Sequence, residues 1–180
     1  MAERRKFEIA FVGLKQGVHE FTYDLDTDFF LEKESTEFEK VNASVKLSLE
    51  KLTGFMQLKF EIGGKAEVVC DRCGNPLKLD LWDEFMMIIK LVDNPDEMNN
   101  NEEDPDIFYI PRTASHLNVE SWVYEFVLLS LPMQKICGKD EEGNSLCNPE
   151  VIKKLTAMQL KNNENNANSL WKGLDKFKEN

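Results

Sequence analysis

An α+β fold is expected for this chain of 180 residues: a curved antiparallel β-sheet from the N-terminal two-thirds, packed with C-terminal helices. Three observations predict it. Apolar residues alternate with polar ones in several short runs between Phe7 and Val92. Turn signals such as Thr53-Gly54 and Gly74-Asn75-Pro76 join neighbouring runs as hairpins. Beyond residue 118 the apolar period changes from that of a strand to that of a helix. A one-sided sheet buries the apolar half of each strand and leaves the other half in water, which separates it from a doubly wound parallel sheet.

Phe7, Ile9 and Phe11 form the first alternating run, and Phe21, Tyr23 and Leu25 the second. Val41, Ala43, Val45, Leu47 and Leu49 make a cleaner series, with Asn42, Ser44, Lys46 and Ser48 facing the other way. Met56, Leu58, Phe60 and Ile62 repeat it after the Thr53-Gly54 turn, and Gly63-Gly64 punctuates the chain before Ala66–Val69 leads to Cys70. Leu77, Leu79 and Leu81 alternate again, and Phe85–Val92 is an apolar strand of a further hairpin. Asn118 can cap a helix carrying Val119, Trp122, Val123, Phe126, Val127, Leu129 and Leu131, stopped by Pro132. It should be buried across the sheet, with Glu125 as its polar exception. A second helix starts with Asn148 as cap, Pro149 in the first turn and Glu150 near the positive end of the dipole.

One domain is expected over residues 1–160, a size that supports a full hydrophobic core. Residues 161–168, with five asparagines, read as a linker, and 169–180 as a short amphipathic segment with Leu170, Trp171, Leu174 and Phe177 on one face. The net charge is −11, but the stretch 93–106 holds seven acidic residues and no basic one, leaving the remainder at −4. That stretch reads as a mobile acidic loop, either a solvated insertion or an arm that mimics phosphate for a basic partner. A remainder of −4 is no electrostatic footprint of a strong RNA binder. No apolar run reaches the ~18 residues of a membrane span, and the start from Met1 leads into alternation rather than an apolar signal segment. A cytoplasmic protein with reduced cysteines is expected, with no membrane and no small-molecule substrate.

The four cysteines fall into two pairs, Cys70 with Cys73 and Cys137 with Cys147. Cys70-Asp71-Arg72-Cys73, followed by Gly74-Asn75-Pro76, has the spacing of a zinc half-site at a reverse turn. With Cys137 and Cys147 it predicts one structural Zn²⁺ held by four thiolates. Two other readings stand beside it: a redox pair, which would want its first thiol at a helix N-terminus, and four thiols that merely pack. No Walker loop, dinucleotide-binding glycine turn, nucleophile elbow or His-Glu-x-x-His is present, and His19 and His116 stand alone. No enzyme is expected.

The order of elements resembles a known family. A β-rich start is followed by Val68-Val69-Cys70-Asp71-Arg72-Cys73 and an acidic insertion. Glu125-Phe126-Val127-Leu128-Leu129-Ser130-Leu131-Pro132 then leads to Cys137, and Asn168–Leu174 contains a closing Trp171 motif. Over roughly residues 40–177 this is similar to the YceD family, the large ribosomal RNA subunit accumulation proteins. The resemblance implies a non-enzymatic role in large-subunit ribosomal RNA processing or accumulation and ribosome assembly. The implied partner is a large-subunit precursor particle, its rRNA or a basic ribosomal protein. Cys70, Arg72, Cys73, Glu125, Leu131 and Pro132 match the family's motif. Arg72 suits a phosphate or a carboxylate, Glu125 among them. With the resemblance, Lys65, Arg72 and Lys78 suggest a partner- or RNA-binding face near the Cys70–Cys73 turn. The alternative is a cysteine-based redox or metal-responsive regulatory module.

Overall fold

In the computed structural model, which describes residues 6–166, β1 (Glu8–Ile9) and a short 3-10 turn precede β2 (Gly17–Asp26) and α1 (Thr27–Leu31). Three long strands follow: β3 (Lys40–Lys51), β4 (Phe55–Val69) and β5 (Pro76–Val92). Then come α2 (Pro95–Asn101), β6 (Ile107–Pro111), β7 (Leu117–Asn118), α3 (Glu120–Leu129) and α4 (Pro149–Asn166). The expected α+β class is the one observed. Within it the chain forms two compact units. The larger is drawn from Met1–Val68 and Lys78–Met133, the smaller from Val69–Leu77 and Gln134–Asn180.

The larger unit is organised by a five-stranded sheet in the order β2-β3-β4-β5-β6. β2, β3 and β4 pair antiparallel in a register that stacks the alternating apolar series: Phe21 opposite Leu47, Val45 opposite Ile62, Leu47 opposite Phe60, Leu49 opposite Leu58. A slip of one residue would turn each of these faces to water, so burial holds the register. Val45, Leu47, Leu49, Leu58 and Phe60 are fully sealed. Gly63-Gly64 does not interrupt β4, as the sequence suggests, but lies inside it, Gly64 opposite Ala43. A Cβ on Gly64 would lie 2.4 Å from the Asn42 carbonyl oxygen, and its φ of +153° is one that side chains rarely adopt. Only glycine lets the two strands approach so closely.

Helices cover the apolar face. Asp26 caps α1 by accepting from the Phe29 N–H (3.2 Å), and Thr27 Oγ1 accepts from the Val41 N–H (3.0 Å). Phe30 of α1 packs edge-on against Phe38 and beside Tyr124 of α3. Val123 and Val127 of α3 are fully buried, and Phe126 stacks on Phe85 at 4.4 Å and edge-on to Phe60. The Asn118 side chain accepts from the Glu120 N–H (2.9 Å), but the cap position is one residue later than expected, at Val119. The helix ends at Leu129, which is exposed, two residues before the end of the apolar run at Leu131.

The far edge of the sheet is built differently. β6 pairs parallel to β5, Ile88 opposite Ile107 and Val92 opposite Pro111, so the sheet is mixed. A parallel pair needs a crossover of about a dozen residues or more, and the acidic stretch 93–106 is that crossover. It contains α2 and has an anchor: the Asn99 side-chain amide accepts from the Tyr109 N–H (2.8 Å) and donates to the Tyr109 carbonyl (3.0 Å). Asn99 thereby occupies the edge of β6 as a neighbouring strand would. Tyr109 Oη donates to Glu102 at 2.5 Å, and Lys90 lies over the Tyr109 ring. The segment expected as a linker from 161 is helical through Asn166. Leu170, Trp171, Leu174 and Phe177 lie outside the described residues.

Candidate metal centre

The smaller unit is built around the cysteines. At the end of β4 the chain turns tightly. The Cys70 N–H donates to the Asn75 carbonyl (2.8 Å), and the Gly74 N–H to the Cys70 carbonyl (2.9 Å). Gly74 has φ +74°, the left-handed conformation that closes such a turn at least cost in glycine. Opposite it, residues 138–146 form a miniature hairpin, with Lys139 bridged to Ser145 and the Leu146 N–H donating to the Gly138 carbonyl (3.0 Å). The acidic residues Asp140, Glu141 and Glu142 form the tip of this hairpin. Asp140 accepts there from the N–H groups of Glu142 (3.0 Å) and Asn144 (2.7 Å). These bonds hold its carboxyl below the usual range, the Asn144 N–H contributing most. Asn148 accepts from the Glu150 N–H (3.0 Å), starting α4 as expected directly after Cys147.

Turn and hairpin are locked together by Asp71. Its N–H donates to the Lys135 carbonyl and its carboxylate accepts from the Lys135 N–H, both at 2.7 Å. Two residues on, the Cys137 N–H donates to Cys70 Sγ at 3.4 Å. All four sulfurs consequently meet. Cys70 and Cys147 are 4.0 Å apart, Cys73 and Cys137 3.7 Å, and every sulfur lies within 4.8 Å of the others. A tetrahedral ion with metal–sulfur bonds of about 2.3 Å places its sulfurs about 3.8 Å apart, so the cluster has the dimensions to hold one. The four cysteines are free thiols, Cys70 and Cys147 buried and the other two partly so.

The local electrostatics favour a thiolate. Burial pushes the Cys70 thiol up, but the N–H groups of Cys137, Arg72 and Cys73 outweigh it and bring the thiol down to about 6. Cys137 is pushed up to about 12, first by its hydrogen bond to Cys70 and then by burial. Backbone amides aimed at a sulfur prepare it as an anionic ligand. Cys70 sits at the end of a strand and not at a helix N-terminus, so no helix dipole accounts for its acidity.

Packing points the same way. Among the described residues, every buried apolar side chain except Cys70 and Cys147 belongs to the larger unit. The smaller unit therefore has no hydrophobic core beyond its thiols, the situation in which small folds depend on a metal or a disulfide.

The suggested partner-binding residues divide between the units. Lys65 and Lys78 line one open groove of about 630 Å³ in the larger unit. Lys40 lines it too, a residue missed in the sequence because it stands 25 positions before Lys65; the pairing of Asn42 with Lys65 and of Lys40 with Glu67 brings it there. Glu67 and Asp80 share the groove, and Glu67 pairs with Lys78 at 3.6 Å. Arg72 is exposed in the Cys70–Cys73 turn of the smaller unit, where its N–H serves Cys70. Glu125 is exposed on α3. No helix among the described residues is long and apolar enough to cross a membrane.

Comparison with known protein families gives a match. Residues 58–178 match the model of a family described as "Large ribosomal RNA subunit accumulation protein YceD". The match begins in β4, later than the residue 40 at which the resemblance is read from the sequence. No curated protein and no solved structure matches the chain.

Proposed function

This chain belongs to the YceD family, and we propose that it supports the accumulation of large-subunit ribosomal RNA by binding a precursor of that subunit, without catalysing a reaction. The observation that carries this reading is the family match over more than half of the chain. The centre formed by Cys70, Cys73, Cys137 and Cys147 holds one Zn²⁺ in this proposal, since four soft thiolates at a closed site suit that ion. When bound, the ion supplies a cross-link between the 70–75 turn and the 137–147 hairpin and no reactive chemistry, because all four positions are filled by protein. Lys65 and Lys78, with Lys40, are the proposed contacts to the particle in one unit, and Arg72 in the other.

The overall charge of −11 favours a basic ribosomal protein as an additional contact within the particle. The test is direct. Tagged protein should sediment with large-subunit precursors, and its depletion should lower large-subunit ribosomal RNA relative to small-subunit RNA. Normal subunit profiles after depletion would end the proposal.

A further inference from the structure

The open face of the five-stranded sheet is uneven. Across its middle the charges are already matched: Lys46 with Glu20 at 2.8 Å, and Lys59 with both Glu61 and Glu84 at 3.1 Å. Toward the start of β5 the character changes. Alternate residues of a strand share a face, and the burial of Val41, Ala43, Ala66 and Leu81 fixes which face is the inner one. Lys40, Asn42, Lys65, Lys78 and Asp80 therefore all look outward, where they line a single groove. Trp82, the next outward residue of β5 after Asp80, is 77% exposed. A tryptophan so exposed on an ordered strand loses apolar burial and gains nothing within the fold.

We propose that Trp82 is a base-stacking platform for a single-stranded RNA segment whose phosphates run along the lysine groove. The inference rests on the reading of the chain as a large-subunit RNA factor and names the chemistry of its contact. Open sheets take single-stranded RNA by stacking bases on exposed aromatic rings while basic side chains follow the backbone. Every base has a π-face, so such a platform accepts RNA without demanding much positive charge. That fits this groove, where Glu67 and Asp80 offset two of the three lysines. A basic protein is the poorer occupant, because the groove keeps one positive charge in excess and offers it no net attraction. On Trp82 the ring supplies affinity, and the lysines supply direction and salt dependence.

The test uses the full chain in its purified, metal-loaded form and a fluorescein-labelled twelve-residue oligouridine. Wild-type protein is expected to bind at low salt, with a slope of log K against log salt of about −2 for three lysines on a single strand. Trp82→Ala should weaken binding by roughly 5- to 150-fold, the range contributed by stacking of one base, with the slope unchanged. Trp82→Phe should restore most of the loss. Lys65→Ala should make the slope shallower by about 0.7 while leaving the effect of Trp82→Ala intact. Unchanged melting and metal content in each variant separate lost binding from lost fold.

Equal affinity of Trp82→Ala and wild type would overturn the proposal. So would an absence of oligouridine binding in a wild-type protein that still sediments with large-subunit precursors, a result that leaves the proposed function standing. If Trp82→Ala abolishes that sedimentation although wild type does not bind oligouridine, the platform takes a protein and the RNA assignment is wrong. Normal large-subunit RNA after depletion removes the functional reading itself, whatever the oligouridine result.

Discussion

In the larger unit, Val45, Leu47, Leu58 and Phe60 face one another across paired strands, with the aromatic rings of α1 and α3 closing over them. In the smaller unit the buried apolar side chains among the described residues are two cysteines. One unit has many interchangeable contributions, each on the order of 1–3 kcal/mol for a buried side chain. The other concentrates its cohesion in four sulfurs and the backbone bonds that aim them. The first should lose stability by degrees as side chains are trimmed. The second should be all or nothing with respect to its ion.

Metal removal is the largest expected effect. Structural zinc contributes on the order of 10 kcal/mol to the folding of small sites, so a chelator, or Cys147→Ser, should unfold the smaller unit. Hydrogen exchange should then show the amides of Cys70, Asp71, Gly74 and Leu146, all donors in the turn and hairpin, losing protection. The amides of β3 and β4 should keep theirs. Protein purified without chelator should carry about one zinc per chain. Joint loss of protection in both units would break the comparison.

The converse is Phe60→Ala in the larger unit, where a sealed ring touches Phe126 at 4.9 Å. About 3–5 kcal/mol should be lost, read from the denaturant midpoint. Zinc content should not change. A metal-free variant would show that the units do not stand independently.

The structure suggests a third, smaller effect at the sheet edge. Asn99→Ala removes both partners of the Tyr109 backbone, which should cost about 1–3 kcal/mol and expose a free strand edge. Concentration-dependent light scattering should rise with it. Asn99→Asp can still accept from the Tyr109 N–H but cannot donate to its carbonyl, so it should fall between the two. Equal behaviour of all three proteins would return the acidic stretch to the status of an unanchored loop.

Acid should produce the smallest change. The Tyr109 hydroxyl, and after it the Asp104 N–H, hold the Glu102 carboxyl below its ordinary value. A depressed folded-state value means that the contribution is complete above the unfolded value of about 4.3 and fades as pH falls through the depressed one. Carboxyl shifts followed by NMR should show Glu102 titrating late in wild type. In Tyr109→Phe that delay should shrink.

Much of this architecture is legible from period and punctuation alone. Residues 41–49 and 56–62 alternate so regularly that one register seals both sets, and Asn148 marks a helix start by the chemistry of its side chain. The acidic stretch was not legible as a crossover. Its sequence carries almost nothing to bury, and the Asn99 amide and the Glu102 carboxylate that attach it both reach Tyr109, ten and seven residues away. Gly63-Gly64 reads as a break because glycine usually marks one. Here it is the condition for β3 and β4 to stay paired.

At the candidate site the sequence alone supplied the candidate ligands and their grouping into two sets, because residue type, spacing and a reverse turn are local properties. Only the tertiary structure decided that four sulfurs separated by up to 77 positions lie within 4.8 Å of one another. The decisive bonds are those between Asp71 and Lys135, which set one loop against another and have no sequence period to reveal them. The same holds for Lys40 and Trp82. Residue type makes each capable of contact, but which face of a strand a side chain occupies, and what stands beside it, follows from pairing between distant segments.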